Sequence, residues 1–280
     1  MTVVLIQYLD NWQPSDNIMF GFVSQSFRAG QRPVIIVTNP DVLPNLQVWY
    51  NADLGNTTNF NVTLANGDDI SQWKDRSAFG HNLNKAGNAS VKPNWYANQA
   101  GVGNTLGVIS FNGTSESLDI NPISWMQSQT GFSLFVVAKA NTVGITSRTI
   151  SATNTGGFQI SHNTSNWRVE AGGCSGVSTV TGVGDTSRFN IYALIFDGSG
   201  IGNTSRLRFR YNKVPQTLTY TGTAGTITSA SASTFYVGVS SIGNSQYFSG
   251  DIAEMIMFTR TLNSSEIGGV ESYMTAHWNL

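Results

Sequence analysis

The fold is decided near the end of the chain, by the stretch Ile252-Ala-Glu-Met-Ile-Met-Phe258. This stretch is apolar on both alternating faces except at Glu254, which predicts a strand buried inside a layered β structure rather than at a wet edge. Moving outward, the run Phe132–Ala138 and the run Phe189–Phe196 predict further buried strands. Alternation of apolar and basic residues over Arg206–Tyr211 predicts a strand with one face turned outward.

A single helix is predicted after the closing strand. Asn263 is placed to cap its free N–H groups, while Glu266, three residues on, has the spacing of a capping box. An apolar stripe at helical spacing follows at Ile267, Val270 and Met274. The chain is therefore expected to be all-β with one short C-terminal helix.

The closing stretch resembles the last motif of laminin-G-like domains, which share the concanavalin-A-like lectin and glucanase jelly roll. The motif here is Phe248-Ser-Gly-Asp-Ile-Ala-Glu-Met-Ile-Met-Phe-Thr-Arg-Thr-Leu-Asn-Ser-Ser-Glu-Ile267, followed by Val270-Glu-Ser-Tyr273. Earlier blocks resemble the same family in its order: Leu46-Gln-Val-Trp-Tyr-Asn-Ala-Asp53, Ile70-Ser-Gln-Trp-Lys-Asp-Arg-Ser77 with Gly80-His-Asn82, and Ile109-Ser-Phe-Asn-Gly-Thr-Ser-Glu-Ser-Leu118. The resemblance implies a two-sheet antiparallel jelly-roll sandwich. The sequence departs from it at Ala78 and Phe79, where the family usually has small turn residues.

Two regions are predicted, an N-terminal attachment arm over residues 1–43 and a laminin-G-like jelly-roll domain over residues 44–280. The arm contains two β-prone pieces, Val3–Tyr8 and Val34–Thr38, which are too scattered to bury a core of their own. Exposed strand edges are satisfied by pairing with another sheet, so the arm is expected to dock on a partner chain or to exchange between copies of this chain. The predicted docking residues are Val3, Leu5, Tyr8, Val34 and Ile36.

Composition excludes several classes of function. Charged residues make up 11% of the chain and the net charge is -1, so no global field would gather nucleic acid or an acidic membrane. The start of the chain lacks the pattern of an export signal or membrane span, and Cys174 alone cannot form an intramolecular disulfide. These features predict synthesis in a reducing cytoplasm, although the resembled fold is used mainly outside cells.

The candidate catalytic groups are few. The glucanases of this fold use two carboxylates about 5–10 Å apart on one strand face. The pair Asp251 and Glu254 is the one in a plausible strand, and its odd offset predicts opposite faces. Glu254 is therefore interpreted as a buried structural residue, and the chain is predicted to have no catalytic residues and not to be an enzyme.

No cofactor is predicted, with calcium as the open alternative that the resemblance suggests. The histidines, His81, His162 and His277, lack zinc spacing. Oxygen ligands for calcium are available at Asp53, Asp75, Asp119, Asp185 and Asp251, but no dense acidic loop brings six to eight oxygens together. Whether a metal binds stays open at this point.

Sugar binding needs aromatic faces for stacking and polar groups for the hydroxyls. The predicted glycan-binding residues lie in or beside polar stretches: Trp95, Tyr96, Trp125, Trp167 and Tyr247. Any such binding is expected to be weak and independent of metal. The stripe of Arg206, Arg208 and Arg210 is interpreted as the solvated face of a strand, or as a contact for an anionic glycan or a neighbouring subunit.

The function predicted from these features is a structural protein of a phage virion. It would be a capsid decoration or fibre-type protein on the outer surface, displaying a lectin-like domain. Its partners would be capsid or tail subunits, further copies of itself and surface glycans, without nucleic acid or membrane. Two alternatives stay open: a tail-associated host-recognition protein, and a glycan-processing enzyme of the glucanase-like fold.

Overall fold

The structure is a computed structural model of the 280-residue chain. It describes residues 39–85, 91–99, 106–141, 147–152, 157–163, 166–178, 186–228, 234–239 and 246–280, together with Val37 and Val102. Within these residues no helix has the length and apolar character that crossing a membrane requires. The predicted docking residues Val3, Leu5, Tyr8, Val34 and Ile36 lie outside the described residues.

The described chain forms seventeen strands, two α-helices and two short 3-10 helices. The first strands are β1 (Leu46–Asn51), β2 (Gln72–Trp73), β3 (Leu83–Lys85), β4 (Asn94–Tyr96), β5 (Val108–Asn112), β6 (Leu118–Ile120), β7 (Gly131–Ala140), β8 (Ser147–Ala152) and β9 (Phe158–Asn163). The later ones are β10 (Asn166–Ala171), β11 (Cys174–Ser178), β12 (Asn190–Asp197), β13 (Leu207–Tyr211), β14 (Val214–Pro215), β15 (Leu218–Thr221), β16 (Phe235–Val237) and β17 (Ser249–Phe258). The helices are α1 (Asn203–Arg206) and α2 (Ser264–Trp278), and the 3-10 helices are Pro40–Val42 and Ser124–Met126.

The strands make two antiparallel sheets. Sheet A has the order β14-β13-β12-β7-β17-β5-β4, and β1 pairs with the same edge of β17 that β5 uses further along. Sheet B has the order β15-β11-β10-β9-β8-β16-β6-β3-β2. The predicted all-β, two-sheet antiparallel sandwich with one C-terminal helix is therefore confirmed.

Sheet A is covered on both faces, which explains the long apolar runs of β7, β12 and β17. On β7, Leu134 and Val136 enter the core between the two sheets, while Phe135 and Val137 enter a second core on the opposite face. Buried faces on both sides remove the need for polar alternation. Sheet B alternates instead: on β10, Trp167 and Val169 are buried, whereas the residues between them are partly exposed.

The second core lies beneath α2. The helix starts with the predicted capping box: the Asn263 side chain accepts hydrogen bonds from the N–H groups of Ser265 and Glu266, and the Glu266 carboxylate accepts one from Asn263 N–H. The predicted stripe of Ile267, Val270 and Met274 is buried. Burial of one helix face on an already formed sheet supplies stability that a short helix lacks by itself.

The residues just before β1 belong to this second core. Val37 and Leu43 are 5% and 7% exposed and pack among the side chains beneath α2. The Pro44 carbonyl accepts a hydrogen bond of 3.0 Å from Arg260 Nε. The last residues of the predicted arm are therefore packed on the sandwich.

Candidate functional site

Glu254 on β17 is a fully buried carboxylate, with 0% of its surface exposed. Its carboxylate accepts hydrogen bonds from Trp49 Nε1 at 2.7 Å, Asn51 Nδ2 at 3.1 Å, Tyr273 Oη at 3.0 Å and Trp278 Nε1 at 2.7 Å. Burial raises the pKa of Glu254, and the donated hydrogen bonds oppose that rise. The side chain thus joins β17, β1 and α2 and is enclosed by them.

A β-bulge changes the predicted relation between the two carboxylates of β17. The register against β7 runs Asp251 to Lys139 and Glu254 to Val137, with an irregularity between Ile252 and Glu254. One extra residue reverses the alternation, so Asp251 and Glu254 lie on the same face of sheet A. The prediction of opposite faces is wrong for this reason. Asp251 makes an ion pair of 3.1 Å with Lys139.

Polar contacts continue from Glu254 to the chain after β1. Asn51 Nδ2 lies 3.3 Å from His277 Nε2, which lies 3.3 Å from Asp53 Oδ2, and Asn59 Nδ2 donates to Asp53 Oδ1 at 2.7 Å. Burial acts to raise the pKa of Asp53, but the hydrogen bonds from His277 and Asn59 outweigh it and the pKa lies below its ordinary value. Asp53 is therefore already engaged with protein donors.

The other predicted calcium ligands are not gathered with Asp53. Asp75 accepts hydrogen bonds from the N–H groups of Trp49, Ser77 and His81 and from the Ser77 hydroxyl. Asp185 lies outside the described residues. Within the described part of the chain, no group of three or more His, Cys, Asp or Glu side chains is arranged to hold a metal ion.

Two of the five predicted sugar-binding aromatics are core residues. Trp95 is 7% exposed, donates from Nε1 to the Ala52 carbonyl at 2.8 Å and packs flat against Gly55 and Gly107. Trp167 is 4% exposed and lies 4.2 Å from the Tyr192 ring, centroid to centroid. Burial of both faces argues against a role for either indole in stacking on sugar.

The other three predicted aromatics, Tyr96, Trp125 and Tyr247, are partly exposed. Trp125 belongs to an aromatic stack that the structure brings together from the loop before β3 and the 3-10 helix Ser124–Met126. Its ring lies 5.1 Å from the His81 ring at 23°, and the His81 ring lies 5.8 Å from the Phe79 ring at 7°. Phe79 is 59% exposed. We call Phe79, His81 and Trp125 the aromatic stack.

Hydrogen bonds fix the loop that carries the aromatic stack. The Asp75 carboxylate accepts from the His81 N–H at 2.8 Å, and Tyr50 Oη donates to the His81 carbonyl. Gln47 Nε2 lies 2.7 Å from His81 Nε2. Burial lowers the pKa of His81, against the opposing effect of Asp75, so the imidazole is neutral near pH 7.

Sequence reasoning singled out Trp125 as a glycan-binding residue, which stays a prediction, and it did not single out Phe79 or His81, which the structure stacks beside it. The signal was present at Phe79, the position at which the sequence departs from the small turn residues of the resembled family. A large aromatic in an exposed turn has no core to fill, and it becomes informative only because the structure stacks further aromatic rings beside it.

A polar pocket of about 510 Å³ lies at one end of the central strands of sheet A, where β12 ends and β17 leads into α2. Its lining includes Thr130, Asp197, Ser199, Arg208, Thr259 and Arg260. We call it the Arg208 pocket. Its volume is within the range of about 300–1,000 Å³ that small-molecule sites occupy.

The predicted arginine stripe divides at this pocket. Arg206 donates to the carbonyls of Gly200 and Ala224 at 2.7 and 2.6 Å. Arg210 makes two hydrogen bonds with the Glu271 carboxylate, at 2.7 and 2.9 Å. The Arg208 side chain makes no hydrogen bond or ion pair within the described residues, and its Nε is buried without a partner.

Comparisons with known proteins identify the fold. No protein-family model matches the chain, and a search of the curated proteins finds no match. Among solved structures, Trypanosoma rangeli sialidase in complex with sialic acid is similar with a TM-score of 0.53 and 15% identity, over 84% of this chain and 33% of the sialidase chain. Domain 4 of the GH43 extracellular arabinanase AbnA from Geobacillus stearothermophilus, in complex with arabinotriose, has a TM-score of 0.48 and 15% identity, over 82% of this chain and 98% of that domain.

The similarity to the sialidase shows that the chain has a β-sandwich fold, and it corrects one prediction. The chain was predicted not to be an enzyme, but the structure that it matches with a TM-score of 0.53 is a sialidase, which is a glycosidase. This chain spans about a third of the sialidase's length. A place on a phage particle, with capsid or tail partners, stays a prediction, since neither structure named here comes from a virion.

Proposed function

We propose that the protein acts in glycan processing and that its β-sandwich holds the glycan, with the aromatic stack as the platform on which a sugar ring rests. The observation that carries the proposal is the stack itself. Phe79 presents an exposed ring backed by two further rings in near-parallel order. Carbohydrate-binding β-sandwich structures provide the context for reading that surface as a sugar site.

The geometry of the stack suits a sugar better than it suits a protein core. Sugar rings expose a C–H face that packs on an aromatic ring, and a ring held in place loses little entropy on binding. The hydrogen bonds of Asp75 and Tyr50 hold the loop, and the neutral His81 ring supports Phe79 from behind. Trp125 completes the support because its main-chain carbonyl is held by Gln129 Nε2 at 2.8 Å.

The test is binding of the full chain to a panel of neutral and acidic oligosaccharides, measured by calorimetry. Phe79→Ala removes the exposed ring and is expected to weaken binding by about tenfold or more, because burying a Phe side chain contributes roughly 1.5–3 kcal/mol and about 1.4 kcal/mol is tenfold in affinity. Ile201→Ala is the matched control, since Ile201 is 91% exposed and lies in the turn after β12. Equal losses in the two variants would show that the stack is not the platform.

Two further measurements use the same oligosaccharide panel. Binding in the presence of a chelator is expected to be unchanged, as the platform needs no metal; loss of binding would point to calcium. New reducing ends released from the panel by the chain alone would show that this chain itself cleaves glycan. Their absence would place cleavage outside this chain.

A further inference from the structure

We propose that the Arg208 pocket is a second subsite that binds an oxyanion carried by a sugar, either a carboxylate or a sulfate ester. The inference rests on the proposed glycan function and adds selection for acidic sugars. It concerns a different part of the molecule from the aromatic stack, so the two proposals can fail separately.

The Arg208 side chain lacks the hydrogen-bond partners that a buried cation needs. Its Nε is buried and has no hydrogen-bond partner in the described part of the chain, where it also has no ion pair. A buried donor left unsatisfied is costly, and a charged one more so. Guanidinium groups bind oxyanions through two parallel N–H···O bonds, so an oxyanion is the ligand that such a group selects.

Among the described residues that line the pocket, Arg208 is the cation that no carboxylate pairs with. Arg260 is held by the Glu266 carboxylate through two bonds of 2.8 Å, which neutralise its charge. Asp197 accepts from the Ser199 N–H at 3.1 Å and from its hydroxyl at 2.6 Å. Oδ1 of this carboxylate is thus held by its own loop, and Asp197 makes no ion pair with Arg208 among the described residues.

The remaining lining suits the rest of a sugar. Thr130, Ser199 and Thr259 bring hydroxyl groups to the wall of the pocket, and these donate to or accept from sugar hydroxyls. A volume of about 510 Å³ accommodates one sugar ring with its substituent. The net charge of -1 for the whole chain supplies no general attraction for anions, so selection must come from this local group.

The experiment compares three oligosaccharides of one backbone: the neutral parent, a carboxylated form and a sulfated form. Affinities are measured by calorimetry for the wild-type chain, Arg208→Gln, Arg208→Lys and Lys213→Gln. The last variant removes one exposed positive charge from the turn after β13 and controls for long-range attraction. Thermal melting of each variant establishes that it is folded, and Arg208→Lys carries the test if Arg208→Gln does not fold.

We expect an acidic form to bind the wild type at least about tenfold more tightly than the neutral parent, as charge-assisted hydrogen bonds do. Arg208→Gln should abolish that preference, Arg208→Lys should reduce it, and Lys213→Gln should keep it. Which acidic form shows the preference tells carboxylate from sulfate. Equal affinity for all three oligosaccharides, or a preference that survives in both Arg208 variants, overturns the proposal. Acid-selective binding that depends on Arg208, with no binding of the neutral parent, would support this pocket and count against the aromatic stack.

Discussion

At the scale of single residues, Glu254 shows how a buried carboxylate becomes part of the architecture. Its Oε1 accepts from Trp49, Asn51 and Tyr273, and its Oε2 accepts from Trp278. All four partners are donors, so a group with two accepting oxygens is required at this place. An ion pair is not needed, because indole, amide and phenol donors satisfy the lone pairs.

Replacing Glu254 with Gln is expected to destabilise the fold by about 1–3 kcal/mol. The amide nitrogen cannot accept a hydrogen bond, so in either orientation it faces the indole N–H of Trp49 or of Trp278. The melting temperature should fall by several degrees. Glu170→Gln is the control, because Glu170 lies on the partly exposed face of sheet B. Equal melting of the two variants would contradict the structural role of Glu254.

Individual residues also show where prediction from sequence stops. Trp95 and Trp125 both lie in polar surroundings along the chain, yet Trp95 is buried and Trp125 is partly exposed. Trp95 is buried because Gly55 and Gly107 leave room for its ring: a Cβ on either residue would come within 2.7 or 2.4 Å of it. Such contacts join distant parts of the chain, and no local sequence pattern predicts them.

At the scale of elements, apolar periodicity predicted β17 and α2 correctly because burial on both faces leaves a clear signal. The same reasoning failed for the Asp251 and Glu254 pair, since the bulge between them depends on the neighbouring strand β7. Period-two alternation assumes an unbroken ladder. The different pairing of Arg208 and Arg210 on β13 was unpredictable for a similar reason. Glu271, the partner of Arg210, lies on α2 and is remote in sequence.

The start of α2 predicts a dependence of stability on acid. The hydrogen bonds from Arg260 hold the pKa of Glu266 below its ordinary value of 4.5, although burial acts in the opposite direction. A carboxyl whose pKa is lowered by folding contributes stability above the unfolded pKa, and this contribution is lost as pH falls through the folded pKa. Melting temperature should therefore fall on acidification below about pH 4.5, in part through this group.

Glu266→Gln separates this charge from the cap. Glutamine retains the capping-box hydrogen bond but cannot form the ion pair with Arg260. The variant should melt lower than the wild type near pH 7 and approach it as the pH falls below the pKa of Glu266. Melting curves measured from pH 7 to pH 2 check this. A constant difference between the two proteins over that range would show that the ion pair does not contribute.

At the scale of the whole molecule, the two hydrophobic cores have different structural roles. The core between the sheets holds the sandwich, and the core beneath α2 ties both ends of the described chain to sheet A. The aromatic stack and the Arg208 pocket both lie at the margins of this scaffold, where loops meet the ends of strands. Ligand groups on loops held by a rigid sandwich are a common arrangement.

The boundary of the N-terminal arm gives the prediction that tests this division. The arm was placed at residues 1–43, but Val37 and Leu43 are buried beside Trp49 and Phe258 in the second core. We expect a chain that starts at residue 37 to fold and melt close to the full chain. A chain that starts at residue 44 loses two buried aliphatic side chains, each contributing roughly 1.5–3 kcal/mol of burial, and should melt clearly lower.

Point substitution distinguishes lost packing from the loss of chain length. Leu43→Ala in the full chain should reproduce much of the effect of starting at residue 44, because it removes the larger of the two buried side chains. Val42 is next to it and only partly buried, so Val42→Ala should lower the melting temperature less. If the chain beginning at residue 44 melts like the full chain, residues 37–43 contribute nothing to the second core. If the chain beginning at residue 37 does not fold, residues 1–36 belong to the sandwich and are not an arm. If the melting temperature drops clearly only between the chain that starts at residue 37 and the chain that starts at residue 44, the arm ends at residue 36. The packed side chains, rather than the pattern of β-prone pieces, then define where the domain begins.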